Sequence, residues 1–142
     1  MKGDTVVKAI KMVLTGLLLS GAVGGYQIFG ATALHTTQTH SGGGVTVKVT
    51  PLDSRASGEL RFQIALDTHS VNLDSYDLKS LVSLRDNTGK LYPPTAVENK
   101  GSGHHRQATL SFAKPPNGVK RVELVVKDIA GVKERIFRWD LE

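Results

Sequence analysis

Apolar and polar residues alternate most regularly over Gly58–Ser70 (GELRFQIALDTHS). Leu60, Phe62, Ile64 and Leu66 fall on one side of an extended chain, and Arg61, Gln63, Ala65 and Asp67 on the other. A period of two marks a half-buried strand, because the 3.6-residue helical period scatters those four apolar positions around the axis. The stretch is therefore predicted to be the central strand of the domain.

The same test finds further strands on either side. Val45, Val47 and Val49 alternate with Thr46, Lys48 and Thr50 and are closed by Pro51, which cannot extend a central ladder. Residues 71–78 read as a packed connection with one short helical turn, crossing from one sheet to the other. Leu81, Val82 and Leu84 predict a third strand, turned by Asp86-Asn87-Thr88-Gly89 into a short fourth at Lys90-Leu91-Tyr92 that Pro93-Pro94 stops. Residues 95–103 carry no regular pattern and read as a mobile approach to His104-His105-Arg106. Ala108, Leu110 and Phe112, then Val122, Leu124 and Val126, then Phe137, Trp139 and Leu141 supply the inward faces of three more strands, with Trp139 plugging the core.

Seven short strands in about 100 residues, with turn signals every 8–12 residues, predict an all-β fold: an immunoglobulin-like antiparallel β-sandwich over residues 45–142. A small closed barrel is the alternative. Fully burying a Val, Leu, Ile or Phe side chain contributes about 1.5–3 kcal/mol, so the apolar inventory suffices to fold the domain without a metal or disulfide.

The N-terminal third reads differently. After Lys2, Lys8 and Lys11, the chain from Met12 to Leu34 has no charged residue. Residues 1–34 are expected to be either a signal peptide cleaved near Ala31-Thr32-Ala33 or an N-terminal signal anchor, since about 20 apolar residues cross the hydrocarbon core. On either reading the positive residues stay in the cytoplasm and the domain lies outside it, secreted, periplasmic or anchored to the membrane through residues 12–34. Residues 35–44 (HTTQTHSGGG) are polar and Gly-rich and read as a flexible tether.

Composition narrows the chemistry. The chain has no cysteine, which removes disulfides, thiolate metal sites and thiol nucleophiles. Its net charge is +5, but the Lys and Arg residues are spread over strand faces and turns rather than clustered among aromatics, so nucleic acid is not an expected partner. No catalytic motif is present. Asp67, His69 and Ser70 carry the letters of a catalytic triad, but near-neighbours on an extended segment cannot align their side chains in the required order. The protein is accordingly read as a non-enzyme.

One constellation remains. In a sandwich of this order the second and fifth predicted strands are antiparallel neighbours, which brings His69 to the same rim as His104 and His105. Imidazole suits copper or zinc, and Asp67, Asp74 or Asp77 can complete the shell or orient a ring. The competing reading is that these residues only hydrogen-bond the turns. The segments Thr68-His69-Ser70, Asp86-Asn87-Thr88-Gly89, Gly103-His104-His105-Arg106 and Phe137-Arg138-Trp139 together resemble a recurring type of small exported bacterial β-sandwich, although Gln107-Ala108 stands where that pattern has a glycine. The resemblance implies export and fold and carries no functional residues over.

Three functions follow as expectations. The first is an extracytoplasmic cell-envelope or surface module that acts by binding another protein or assembling with itself. A domain binding copper or zinc through His69, His104 and His105 is the second. The third is a surface filament subunit, suggested by an apolar helix joined to a β-domain, although no Glu precedes Glu59.

Overall fold

The computed structural model describes residues 32–52 and 58–141, which form a β-sandwich of two five-stranded sheets. The expected signal peptide or anchor lies almost wholly outside the described residues. Among those residues no helix is long and apolar enough to cross a membrane.

Ten strands follow in chain order: β1 (Thr32–Ala33), β2 (Gln38–Gly42), β3 (Val45–Leu52), β4 (Glu59–Thr68), β5 (Val82–Asp86), β6 (Leu91–Tyr92), β7 (Ala96–Ser102), β8 (His105–Ala113), β9 (Arg121–Ile129) and β10 (Val132–Asp140). One sheet runs β1-β10-β9-β5-β6 and the other β2-β3-β4-β8-β7. Every pairing is antiparallel except β1 with β10, which is parallel. Between β4 and β5 the chain crosses sheets through a 3-10 turn (Leu73–Ser75) and a single-turn helix, α1 (Leu78–Leu81). Asn72 and Asp77 cap these two turns with side-chain oxygens.

The core forms where the alternating faces meet. Leu60, Phe62, Ile64 and Leu66 of β4 are all buried, as the pattern predicts, and pack with Val45, Val47 and Val49 of β3 and Leu110 and Phe112 of β8. From the opposite sheet Trp139 is fully buried, its ring centroid 5.1 Å from that of Phe62. Its indole N–H donates to Thr36 O at 2.8 Å, which satisfies the one polar atom of the plug.

Two stretches differ from expectation. Residues 35–44 are not a free tether: Gln38–Gly42 forms β2 and closes on β3 through the two-residue loop Gly43-Gly44, with both glycines at positive φ. Such primed turns match the twist of a hairpin. Residues 96–102, expected to lack regular structure, form β7, which pairs with β8 along its whole length. The loop between them is Gly103-His104, with Gly103 at φ 72° as a type II′ turn requires.

Candidate functional site

The rim where histidines were expected to meet is built by the end of β4 and the β7–β8 turn. Thr68 ends β4 because its buried hydroxyl is committed locally: Oγ1 donates to Gly44 O (2.8 Å) and accepts from the amides of Ser70 (3.2 Å) and Val71 (3.3 Å). That bends the chain out at His69. Across the ladder Asp67 lies opposite His105, and the Thr68 amide donates to His104 O at 3.0 Å. The strand pairing inferred from sequence is thus correct.

Its chemistry is pairwise. His105 Nδ1 donates to Asp67 Oδ1 at 2.7 Å, on the solvent face of the sheet. His69 and His104 are exposed. Asp74, another candidate for the shell, accepts from the Gly103 amide at 2.9 Å, and Asp77 caps α1. Among the described residues no group of three or more His, Asp or Glu side chains is placed to hold a metal ion. The Asp67 carboxylate is engaged by His105, not His69, so no triad forms with Ser70.

Beneath the rim lies a residue that sequence reading passed over. Arg106 points inward from β8 and is buried; its guanidinium donates to the carbonyls of Leu73 (2.9 Å) and Tyr76 (2.5 Å) and to Asn99 Oδ1 (2.8 Å). It ties the crossover between sheets to the middle of β7. Among the described residues no carboxylate takes part, so the positive charge is held there by oriented dipoles.

The edges of the sheets are the other place where chemistry is exposed. An unpaired edge is a row of free N–H and C=O groups that can template another strand. β1 and β6 are two residues long, and β6 runs into Pro93-Pro94. Side chains bridge β2 and β10: Gln38 bonds both the carbonyl and the amide of Arg138 on β10, at 2.6 and 3.2 Å, and Arg135 donates to Gly42 O of β2 at 2.6 Å. Among the described residues β7 carries no such bridge, although α1 packs near it and Gly101 takes a positive φ of 78° close to its end. It is seven residues long, contains no proline and is exposed except for a half-buried Val97. Among the described residues no hydrogen bond reaches its backbone from the side away from β8.

A cleft of about 310 Å³ lies at the opposite end of the sandwich, lined by Leu34, Leu60, Lys114, Pro115, Val119 and Leu141. His35, Leu52, Gly58, Glu59 and Lys120 also line it. On the outer face of the first sheet Glu123 is already paired, at 2.6–2.7 Å, with Arg85 and Arg138. Burial pushes its carboxyl up, but hydrogen bonds and charge from those two arginines outweigh that and hold it below the ordinary range.

Comparison of the chain with models of known protein families, with curated proteins and with solved structures finds no match. The functional reading therefore rests on the geometry of this chain alone.

Proposed function

We propose that the protein is a non-enzymatic interaction module of the cell envelope or cell surface that docks by strand addition along β7. The observation that carries this reading is the edge itself: β7 is seven residues long and proline-free, and among the described residues no hydrogen bond reaches its backbone from the side away from β8. In strand addition the main chain supplies the hydrogen bonds and alternate side chains supply selectivity. The uncharged run from Met12 to Leu34 behind Lys2, Lys8 and Lys11 supports a position outside the cytoplasm. The order β3-β4-β8-β7 facing β10-β9-β5-β6 supports an immunoglobulin-type sandwich, a fold commonly used for such contacts.

Site-specific photo-crosslinking in the cells that make the protein tests the reading. A photoreactive residue replacing Lys100 in the full chain should give discrete crosslinked products. The same residue replacing Lys48 on the outer face of β3 should not. Equal labelling at both positions, or none at Lys100, would refute docking through β7.

A further inference from the structure

We infer that the strand added to β7 is β7 of a second copy, paired antiparallel about Asn99 so that the two second sheets run together as one. The inference rests on β7 being the docking edge, and it names the occupant.

The charges on the strand select that occupant. Within Ala96–Ser102 only Glu98 and Lys100 are charged, and both are exposed. They lie two residues apart and so on one face of the strand, while Asn99 turns inward to accept from Arg106. In an antiparallel pair centred on Asn99, Glu98 of each copy stands opposite Lys100 of the other. Two favourable cross-strand pairs form, related by a two-fold axis as a self-complementary interface requires.

Other registers fail on the same residues. A slide of two residues, the smallest that keeps outward side chains on the outward face, sets Glu98 against Glu98 or Lys100 against Lys100. A parallel, in-register pair opposes both like charges. Edge charges usually deter association because they share a sign; here alternating signs deter every nearby register except one.

Arg106 stiffens this edge from within. Its bond to Asn99 fixes the central residue of the proposed pair, and its bonds to Leu73 and Tyr76 anchor that residue to the crossover. The centre of the strand is thus held in place before any partner arrives, which lowers the ordering cost of pairing, while Gly101, at φ 78°, departs from the extended region near its end.

Sedimentation equilibrium of the full chain in detergent, over rising protein concentration, tests the inference. The wild type should form a dimer. Glu98→Lys and Lys100→Glu should each weaken it by about tenfold or more, since each sets two like-charge pairs face to face. An equimolar mixture of the two variants should recover the dimer, because each then supplies the charges the other needs. Both side chains are exposed, so thermal melts of the single variants should match the wild type and exclude misfolding. Association unchanged by either reversal, or no recovery on mixing, would overturn the inference. A wild type that stays monomeric while Lys100 crosslinks a different protein in cells would also overturn it, yet leave docking through β7 standing; failure of both measurements would remove both.

Discussion

Gln38 and Arg138 are 100 residues apart in the chain, yet the Gln38 amide donates to the Arg138 carbonyl at 2.6 Å and accepts from its N–H at 3.2 Å. One side chain does for β10 what a neighbouring strand would do, and it bridges the two sheets on the side where both would otherwise be open.

Removing that bridge should leave the fold intact but weaker. Gln38→Ala exposes a backbone donor and acceptor to solvent and is expected to cost about 1–2 kcal/mol, the typical net value of two neutral hydrogen bonds. Urea denaturation measures it. A loss within error would mean that the Arg138 backbone groups find water at no cost.

Arg135 holds the hairpin turns of the two sheets together. It is fully buried, donates to Ile129 O at 3.0 Å and Gly42 O at 2.6 Å, and has no partner for Nε. Burial pushes its guanidinium pKa down, partly offset by the nearby Tyr76. Arg135→Ala removes the tie and opens a cavity, for an expected loss of about 2–5 kcal/mol. Lys should not rescue, since a single ammonium cannot span both carbonyls as the planar fork does. A lysine variant as stable as the wild type in chemical denaturation would contradict this account of the residue.

The same two turns touch through glycine. A Cβ at Gly43 would sit 2.1 Å from Ala130 O, and Gly43 has φ 61°. Gly43→Ala is therefore expected to destabilise by about 1–3 kcal/mol from overlap alone, read as a lowered melting temperature. Opposite it Ala130 holds φ 52°, where a Cβ is disfavoured. Ala130→Gly should relieve that strain and raise stability by about 0.5–1 kcal/mol. Reversed signs for this pair would show that the turns are not packed as described.

Acid stability should depend on Asp86. Its carboxylate accepts from the Thr88 hydroxyl (2.6 Å) and amide (2.8 Å), the Lys90 amide (3.1 Å) and the Tyr92 hydroxyl (2.9 Å). The Thr88 hydroxyl is the largest influence; burial opposes it, and the remaining donors bring the pKa from an ordinary 3.8 down to about 2. A carboxyl depressed by folding stabilises the native state fully above its unfolded value. That contribution fades as pH falls from 3.8 through 2. Thermal melts between pH 6 and pH 2 should show a drop in that window that Asp86→Asn makes shallower. Parallel curves for the two proteins would contradict it.

How much of this was legible in the sequence depends on which force holds each element. β4 was readable because one face is buried and every other residue must be apolar. The neighbouring pair β4–β8 followed from strand order, but that Asp67 takes His105 as its partner did not. β7 was not readable: it covers little core, so Val97 is its one large apolar residue, and its inward Asn99 is held by a hydrogen bond rather than by burial. β2 was hidden for a similar reason: its residues are polar or glycine, and it is held by backbone pairing with β3 rather than by apolar burial. Arg135 and Arg106 occupy inward positions where a binary pattern expects apolar side chains, and only the turn carbonyls they reach explain them. The three histidines share a rim, as expected, but the side-chain contacts there are pairwise.

Amide hydrogen exchange of the full chain at low and high protein concentration tests most directly whether β7 is a self-pairing edge. Amides of Ala96–Ser102 that face away from β8 should exchange freely in dilute protein and gain protection as concentration rises. Those of β3, already paired on both sides, should be protected throughout, and Glu98→Lys alone should abolish the gain in β7. Exchange in β7 that does not change with concentration would contradict the account.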